Sequence, residues 1–375
     1  MTDKGGGGRP LPVRLRNLSL QAFRNYRSLY LEPDAGLTLI VGPNGQGKTN
    51  LIEAIYFLCL GRSFRERSDR RLIMFGEERT QLEGVFDRDG GAHSIRMVIS
   101  REGGKRAQVD GNDLERIRDL VGQAPVVGFT PEDSDIVKGD PASRRRFLDL
   151  ILAQTDREYL EALQLYRRAL AQRNICLREG RIELIESWEE ALVVSGAMIR
   201  KSRTRLIMFF AEVACDTYTG IGPRGEAFTI RYRPNPPLGE GGADELVVAL
   251  STGRQDDLDR GFTGAGPHRD DIVFEIGGRN LRMYGSHGQA RTALASLKLA
   301  EVAYYTFARD RQPILVMDEI ASVLDKDRTE NLVQLLAQEA SQVFITAPSE
   351  EDLGVFASKA GCVVCINEGR AEIRQ

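Results

Sequence analysis

Hydrophobic and polar residues change their spacing along the first third of the chain. Alternating polar and apolar residues at 13–20 predict a strand, and the short apolar run at 37–41 predicts another. Apolar residues recur every three or four positions over 50–60, which predicts a helix that ends at Gly61. Short β-type segments separated by glycine pairs fill 80–109 and predict antiparallel hairpins. The first third is therefore expected to combine an α/β segment with an antiparallel β-subdomain.

The middle of the chain has the spacing of helices. Apolar residues recur every three or four positions from 143 to 179, Gly180 interrupts the run, and a second helical pattern covers 182–218. Two such helices joined by a short turn predict an antiparallel hairpin about 50 Å long, at about 1.5 Å per residue. A loop rich in proline and glycine is expected at 233–242.

The last third returns to an α/β pattern. β-type residues occupy 271–283, and a helix over 290–309, an apolar strand and a further helix are expected after them. These patterns predict an α/β fold whose head combines a mixed sheet with the antiparallel β-subdomain. The head is expected to comprise residues 1–125 and 262–375, with an α-helical arm inserted at 126–261.

A glycine-rich segment connects the strand at 37–41 to the helix that follows. It fits the pattern G-x-x-x-x-G-K-[ST] at every position. Glycines allow backbone N–H groups to turn toward a phosphate, and the N-terminus of the next helix favours an anion. Lys48 can reach the β- and γ-phosphates, and Thr49 can hold Mg²⁺ through its hydroxyl. We therefore predict that ATP and Mg²⁺ bind at Gly42, Pro43, Asn44, Gly45, Gln46, Gly47, Lys48, Thr49 and the adjacent Asn50.

Two carboxylates end the apolar run at 313–317. At the C-terminal end of a buried strand, Asp318 can orient the Mg²⁺ shell, and Glu319 can polarise the attacking water as the catalytic residue. The alternative is an ordinary buried strand with a solvated acidic end. A phosphate loop in the same chain favours the catalytic interpretation.

A third segment lies between these two motifs. Ser286 precedes the helix expected over 290–309, and a serine at a helix N-cap beside a glycine presents hydroxyl and N–H donors to an anion. Its place between the other motifs is typical of an ABC-type signature, so Ser286, Gly288 and Gln289 are candidate nucleotide contacts. Asp325 has the spacing of the loop by which two ABC subunits sense each other. Together these motifs predict an ABC-type P-loop ATPase head.

The formal net charge of the chain is -3, which argues against a protein that coats DNA indiscriminately. Contact with nucleic acid therefore requires local basic clusters, for which the alternative is solvated faces paired with acidic residues. No helix-turn-helix or zinc-finger pattern is evident, so base-specific readout is not expected. The candidate clusters are Arg62, Arg65, Arg67, Arg70 and Arg71; Arg144, Arg145 and Arg146; and Arg200, Lys201, Arg203 and Arg205.

The cysteines and the apolar segments indicate the compartment. Cys362 and Cys365 form a C-x-x-C pair, but a zinc site needs four ligands and neither a second pair nor a histidine lies nearby. The valines between them predict a buried strand instead. The other three cysteines are isolated, which is typical of reduced thiols. Since no run approaches the roughly 18 apolar residues of a membrane span, we expect a cytoplasmic protein.

Several segments resemble the RecF family of DNA replication and repair ATPases. The resemblance covers nearly the whole chain and includes motifs outside the predicted ATP site. It implies an SMC-like ABC ATPase head. The segments are 23–26, 42–54, 61–65, 131–133, 143–149, 266–271 and 286–289.

The resemblance also implies partners and an assembly. The head is expected to dimerise around two ATP molecules, with Ser286 of one subunit contacting the γ-phosphate held by Lys48 of the other. Arg24 matches the position from which related heads touch the γ-phosphate. Binding to double-stranded and gapped DNA, partnership with RecR, and help in loading RecA are implied, with RecO in the same pathway. The implied setting is recombinational repair, replication-gap processing and the SOS response to DNA damage.

Two departures from related ABC proteins bear on hydrolysis. Residues 131–133 occupy the region where such proteins usually carry a glutamine, and Thr346 stands where many carry a histidine after the last core strand. One group that senses the γ-phosphate is then weaker. We therefore expect weak hydrolysis of ATP to ADP and phosphate. A repair ATPase is also expected to hydrolyse ATP faster when duplex DNA is added.

Other P-loop proteins remain as alternatives. A transport ATPase uses the same head, but the helical arm and the segment 23–26 argue against it. A full SMC or break-repair ATPase needs hundreds of coiled-coil residues, and a fused nuclease needs more than the roughly fifty residues after Asp325. A small-molecule kinase would leave residues 286–289 unexplained.

Overall fold

The structure is a computed structural model that describes residues 10–237, 244–319 and 340–374. Within these ranges, no helix is both long enough and apolar enough to cross a membrane. Two structural units are distinguished: Met1–Asp133 with Glu301–Gln375, called the head unit, and Ser134–Ala300, called the arm unit.

The described strands of the head unit lie in two blocks of the chain. They are β1 (Leu11–Pro12), β2 (Arg14–Phe23), β3 (Tyr26–Leu31), β4 (Leu37–Val41), β5 (Arg79–Arg88), β6 (Gly91–Ser100), β7 (Gly104–Val109), β8 (Asn112–Asp113), β9 (Val126–Phe129), β13 (Arg311–Gln312), β14 (Ile314–Met317), β15 (Gln342–Ala347), β16 (Cys362–Asn367) and β17 (Arg370–Arg374). The numbers β10–β12 belong to the arm unit. Helix α1 of the head unit spans Lys48–Leu60.

The arm unit is mostly helical. Its helices are α2 (Ser134–Lys138), α3 (Pro141–Thr155), α4 (Arg157–Glu179), α5 (Ile185–Ile221), α6 (Asp244–Thr252), α7 (Arg254–Arg260), α8 (Leu281–Tyr284) and α9 (His287–Arg309), the last of which continues past Ala300. Its strands are β10 (Phe228–Arg233), β11 (Asp271–Ile276) and β12 (Arg279–Asn280).

One sheet of the head unit has, in the described residues, the order β17-β16-β4-β15-β14-β9. All neighbours are parallel except β17, which runs antiparallel to β16. Strand β4 is buried at all five positions, as are the four of β14 and the six of β15. Continuous apolar runs are expected for strands covered on both faces, so the sequence pattern at 37–41 and 313–317 indicated the core of this sheet.

The second sheet is the antiparallel subdomain expected from the hairpin pattern. Among described strands its order is β3-β2-β5-β6-β7-β8, and every pairing is antiparallel. Helix α1 contacts strands of both sheets. Eleven of its residues are buried, which is the pattern of a helix enclosed on all sides. The start of α1 is thereby fixed at the C-terminal end of β4.

The helical pattern of 143–179 contains a break that we did not predict. Helix α3 ends at Thr155 and α4 begins at Arg157, because Asp156 caps α4 by accepting a hydrogen bond from the Tyr159 N–H at 3.0 Å. Helix α4 ends at Gly180 as expected, and α5 packs along it. At 37 residues, α5 is about 55 Å long.

The division between the units differs from the boundaries expected at 126 and 261. Strand β9 pairs with β14 in the head unit. Strand β10 pairs with β11 over six residues, so the segment from 262 to 300 belongs with the arm helices. The expected β pattern at 271–283 ends early, since Leu281–Tyr284 is helical. The end of the loop at 233–242 and the last expected helix lie outside the described residues.

Candidate functional site

The glycine-rich segment runs from the end of β4 to the start of α1, and two of its glycines are required by close contacts. A Cβ atom on Gly42, whose φ is 151°, would lie 2.2 Å from the carbonyl oxygen of Ile366. A Cβ on Gly47, whose φ is 118°, would lie 2.6 Å from the amide nitrogen of Asn25. Helix α1 has no side-chain cap at Gly47, so its first N–H groups remain available to an anion.

Contacts from distant residues fix the shape of this loop. The Asn25 side-chain amide donates to the Gln46 carbonyl at 2.8 Å, and the Tyr26 hydroxyl donates to the Gly47 carbonyl at 2.9 Å. On the other side, the backbone N–H of Glu368 donates to the Gln46 side chain at 2.6 Å, and that of Gly369 donates to the Gln46 carbonyl at 3.3 Å. The conformation of the loop is therefore supported by segments near both ends of the chain.

Lys48 lies at the mouth of the loop. Its ammonium group donates to the carbonyl oxygens of Gly42 and Pro43 at 2.6 and 3.0 Å and contacts the Asn44 side chain at 3.4 Å. Burial lowers the pKa of Lys48, and the nearby carboxylates of residues 318 and 319 oppose that change. The ammonium group is therefore held against the loop, where a phosphate would compete with these oxygens for its protons.

The carboxylates predicted after the apolar strand are brought to the same place. Asp318 is buried, and its Oδ1 atom accepts hydrogen bonds from the hydroxyls of Thr49 at 3.0 Å and Thr346 at 2.8 Å. The backbone N–H of Glu319 donates to the Thr346 hydroxyl at 2.9 Å. Burial raises the pKa of Asp318, while the two threonine hydroxyls act in the opposite direction. A buried carboxylate flanked by hydroxyls is a suitable oxygen donor set for Mg²⁺.

The guanidinium of Arg24, a predicted nucleotide contact, is bound to Glu53 of helix α1. The Nε and Nη2 atoms of Arg24 each donate to this carboxylate at 2.8 Å. Burial by itself raises the pKa of Glu53, but the hydrogen bonds from Arg24 and Ser63 and the charges of Arg24 and Arg65 outweigh it and lower that pKa. Glu53 therefore stays ionised.

Ser286 occupies the N-cap of α9, as expected from the sequence. Its hydroxyl accepts a hydrogen bond from the Gln289 N–H at 3.1 Å, and its own N–H donates to the Gln289 side chain at 2.9 Å. Ser286 is exposed and Gly288 is half-buried.

Asp325 lies outside the described residues, so its position in the fold stays a prediction. Pro131–Asp133 forms a short 3-10 helix after β9.

The basic clusters differ in what their side chains contact. Residues 62–71, called the basic segment, carry five arginines, and all of them are exposed. In the arm unit, Arg144 is instead buried in an ion pair with Asp271 at 2.7 Å, and Arg203 is buried against Asp149 and Asp270 at 2.8 and 3.0 Å. The arm clusters were therefore largely misread as surface charge. Their exposed members are Arg146, Lys201 and Arg205.

Some residues of the site were not singled out for it by sequence. Glu368 and Gly369 reach the loop from more than 300 positions away, and no local signal announces such a contact. Asn25 and Tyr26 belong to the segment that carries the family resemblance, which is the signal that could have placed them. Glu53 belongs to the segment 42–54 that carries the resemblance, and it is also a polar residue inside a helix that is otherwise largely apolar.

Comparisons with known proteins agree with this architecture. The family model described as "RecF/RecN/SMC N terminal domain" matches residues 14–365. The "DNA replication and repair protein RecF" of Geobacter sp. (strain M21) is 34% identical over 362 residues, covering 96% of this chain and 99% of that protein. The protein of the same name from Moorella thermoacetica is 38% identical over 340 residues, covering 89% and 90%.

Solved structures show the same fold. A structure described as "the recombination mediator protein RecF-ATP in RecFOR pathway" has a TM-score of 0.89 at 31% identity and covers 97% of this chain and 100% of its own. The Smc head domain of Pyrococcus furiosus, with a TM-score of 0.58 at 17% identity and 96% of each chain covered, supports the fold alone. With its mixed sheet, antiparallel subdomain and phosphate loop, the chain belongs to the RecF family of SMC-like ABC ATPases.

Proposed function

We propose that this chain is an ATP-dependent DNA-binding protein of recombinational repair and replication-gap processing. ATP drives its dimerisation, and slow hydrolysis of ATP to ADP and phosphate releases the DNA. One observation carries the proposal: the Thr49 hydroxyl and the Asp318 carboxylate, 269 positions apart in sequence, are hydrogen-bonded beside the phosphate loop. The names of the relatives and the ATP complex of a similar protein support the same activity.

The residues present fit ATP with Mg²⁺. The loop from Gly42 to Asn50 supplies N–H donors and Lys48 for the phosphates, and its glycines leave room where a Cβ would collide. Thr49 and Asp318 would hold the metal ion, whose charge offsets that of the phosphates. A buried Asp318 with a raised pKa is stabilised by such a cation.

Glu319 is the proposed catalytic residue because it follows Asp318 directly and can act on the attacking water. Thr346 provides a physical reason for a slow reaction. A threonine hydroxyl has one proton to donate, and that of Thr346 is already donated to Asp318. It is therefore a poorer donor to a γ-phosphate than the histidine found in many ABC proteins.

The dimer is proposed to complete each site with the signature segment of the partner. Ser286, Gly288 and Gln289 begin the long helix α9, and the exposed Ser286 hydroxyl is oriented by its capping contacts. Arg24 and Asp325 are proposed as further nucleotide contacts. The family membership supports this arrangement, since SMC-like heads share the fold.

Double-stranded and gapped DNA are the proposed nucleic-acid ligands, bound through phosphates by the exposed arginines of the basic segment. DNA is proposed to stimulate the ATPase. RecR is the proposed direct partner, with RecO and RecA acting in the same pathway, and the proposed outcome is RecA loading. The RecFOR pathway named for a similar structure supports these partners.

Two variants test whether hydrolysis times the release of DNA. Glu319→Gln keeps the phosphate loop and removes the group that acts on water, so it should bind ATP, dimerise and retain DNA longer than the unmodified protein. Lys48→Met should lose ATP binding, dimerisation and ATP-dependent DNA retention together. The measurements are ATP affinity, dimer lifetime and DNA residence time for both variants. The unmodified protein should turn over well below the roughly 10 s⁻¹ typical of enzymes.

Release of DNA from Glu319→Gln at the unmodified rate would rule out this timing role. A Lys48→Met protein that still dimerises with ATP would show that the phosphate loop is not the nucleotide site.

A further inference from the structure

Glu53 is a fully buried carboxylate that the proposed hydrolysis does not use. Its side chain is 0% exposed. Oε2 accepts hydrogen bonds from Arg24 Nε at 2.8 Å and from Arg65 Nη2 at 3.1 Å. Oε1 accepts from Arg24 Nη2 at 2.8 Å and from the hydroxyl of Ser63. Glu53 is therefore shared by Arg24, a proposed nucleotide contact, and Arg65, a proposed DNA contact. One arginine would be enough to neutralise its negative charge.

One of these arginines leads to the phosphate loop through side-chain amides. Arg65 Nη2 also donates to the Asn50 side chain at 2.7 Å. Asn50 donates to the Asn25 side chain at 2.8 Å, and Asn25 donates to the Gln46 carbonyl within the loop at 2.8 Å. A continuous hydrogen-bonded path thus connects the basic segment to the loop that is proposed to bind ATP.

The other arginine is fixed at both its backbone and its side chain. Arg24 has a φ of 54°, and its N–H donates to the Leu72 carbonyl at 2.8 Å. Nε and Nη2 are bound to Glu53, so Nη1 is the group left for other partners. It donates to the Arg71 carbonyl at 3.2 Å and lies 3.6 Å from the Glu66 carboxylate, the anion with which another ligand would compete. Glu53 therefore determines which edge of the Arg24 guanidinium is presented.

We propose that Glu53 is a positioning residue that couples the basic segment to the phosphate loop, so that duplex DNA bound at Arg65 raises the affinity for ATP. A DNA phosphate competes with Glu53 for the Arg65 guanidinium. When Arg65 turns to the DNA phosphate, Glu53 Oε2 accepts a hydrogen bond from Arg24 alone. The Arg24–Glu53 interaction then becomes stronger, and the Arg24 guanidinium is fixed in the orientation proposed to contact the nucleotide. This rests on the proposed function, because it requires ATP at the loop and DNA at the basic segment.

The test measures coupling rather than either affinity alone. The affinity for the ATP analogue ATPγS with Mg²⁺ is determined with and without a saturating short DNA duplex, and the ratio is the coupling factor. For the unmodified protein we expect a factor of at least about five. Glu53→Gln, which keeps the shape of the side chain but removes its charge, should reduce the factor to below about two. Arg65→Gln should do the same by removing the other end of the contact.

The matched control is Arg67→Gln. Arg67 is exposed in the same segment and lies outside the Glu53 network, so its replacement should weaken DNA binding while the coupling factor stays at the unmodified value. If Glu53→Gln does not fold by circular dichroism, Arg65→Gln decides the question, since that side chain is 31% exposed. A general loss of packing would alter the ATPγS affinity without changing the ratio.

Three results would overturn the proposal: an unmodified protein with no coupling, variants at Glu53 and Arg65 that keep the full factor, or an Arg67→Gln protein that loses it. Failure of the proposed function is recognised separately, because the unmodified protein would then bind neither ATPγS nor duplex DNA.

Discussion

His268 has both of its ring nitrogens engaged within the arm unit. Nε2 lies 3.0 Å from the Thr263 carbonyl, and Nδ1 lies 2.6 Å from the Tyr166 hydroxyl. Since a carbonyl can only accept, Nε2 carries the proton and Nδ1 accepts from the tyrosine. Burial lowers the pKa of His268 from 6.5 to about 4, although the bond to Thr263 acts in the opposite direction. The histidine of the segment 266–271 is thus a neutral structural residue.

This depressed pKa predicts a pH-dependent stability. The unfolded chain takes up a proton near pH 6.5 and the folded chain only near pH 4, so His268 contributes stability above pH 6.5 that is lost as the pH falls toward 4. Between about pH 7.5 and about pH 5.5 the loss should be about 1 kcal/mol. Urea unfolding of the unmodified protein and of His268→Gln, which cannot titrate, measures it. Equal pH dependence in the two proteins would contradict the assignment.

Individual elements show which parts of the fold can be predicted from sequence patterns. The phosphate loop and β4 were predictable because all the information is local: an apolar strand, glycines, a lysine and a helix follow one another. The break at Asp156 was missed because the apolar spacing continues across it, with Leu152 and Tyr159 both buried. A period detects a helix but not an interruption that stays in phase. The capping aspartate was the available signal.

The burial of charged residues in the arm helices could not be predicted from the sequence pattern. Arg200 and Arg203 have the spacing of a solvated face, yet both are buried. Their partners, Asp149 and Asp270, come from other elements, and ion pairs between distant segments leave no periodic trace. For the same reason the sequence could place Lys48, Thr49 and Asp318 in one site through known motifs but could not predict how Glu368 supports that site.

The N-terminus of α9 permits a test of the dimer. Ser286→Arg should leave ATP binding by the monomer intact and abolish the ATP-dependent dimer, because a large side chain replaces a small hydroxyl at the proposed contact. Ser286→Asn is the matched control: asparagine also caps helices, so a helix-capping defect is avoided. It should retain most of the dimer in sedimentation with ATP. Undiminished dimerisation of Ser286→Arg would disprove the contact across the dimer.

At the scale of the whole molecule, the basic clusters in the sequence do not all become exposed positive charge in the fold. The chain has a net charge of -3. In the arm unit, Arg144 and Arg203 are buried in internal ion pairs. The basic segment of the head unit keeps all five arginines exposed. DNA affinity is therefore expected to depend on a small number of phosphate contacts made by that segment.

This expectation can be measured as a salt dependence. Replacing Arg67 and Arg70 together by glutamine should reduce the slope of log affinity against log salt by about two, at about 0.9 per phosphate contact. The same change at the exposed Arg146 and Arg205 of the arm unit should leave the slope nearly unaltered. Fluorescence anisotropy with duplexes of unrelated sequence gives both quantities. A complex that is insensitive to salt or selective for sequence would show that phosphate contacts are not the main interaction.

The order of strands around β4 has a consequence for how the protein is made. Leu37–Val41 pairs with β15 on one side and β16 on the other, and Ile366 closes against Gly42. A ribosome that adds about 5–20 residues per second reaches those partners on the order of 15–60 s after β4 has been synthesised. During that interval the apolar β4 and α1 lack the sheet that buries them and are exposed to aggregation. A newly made chain is therefore expected to need a chaperone on the ribosome, and to acquire its nucleotide loop only when synthesis has passed Gly369.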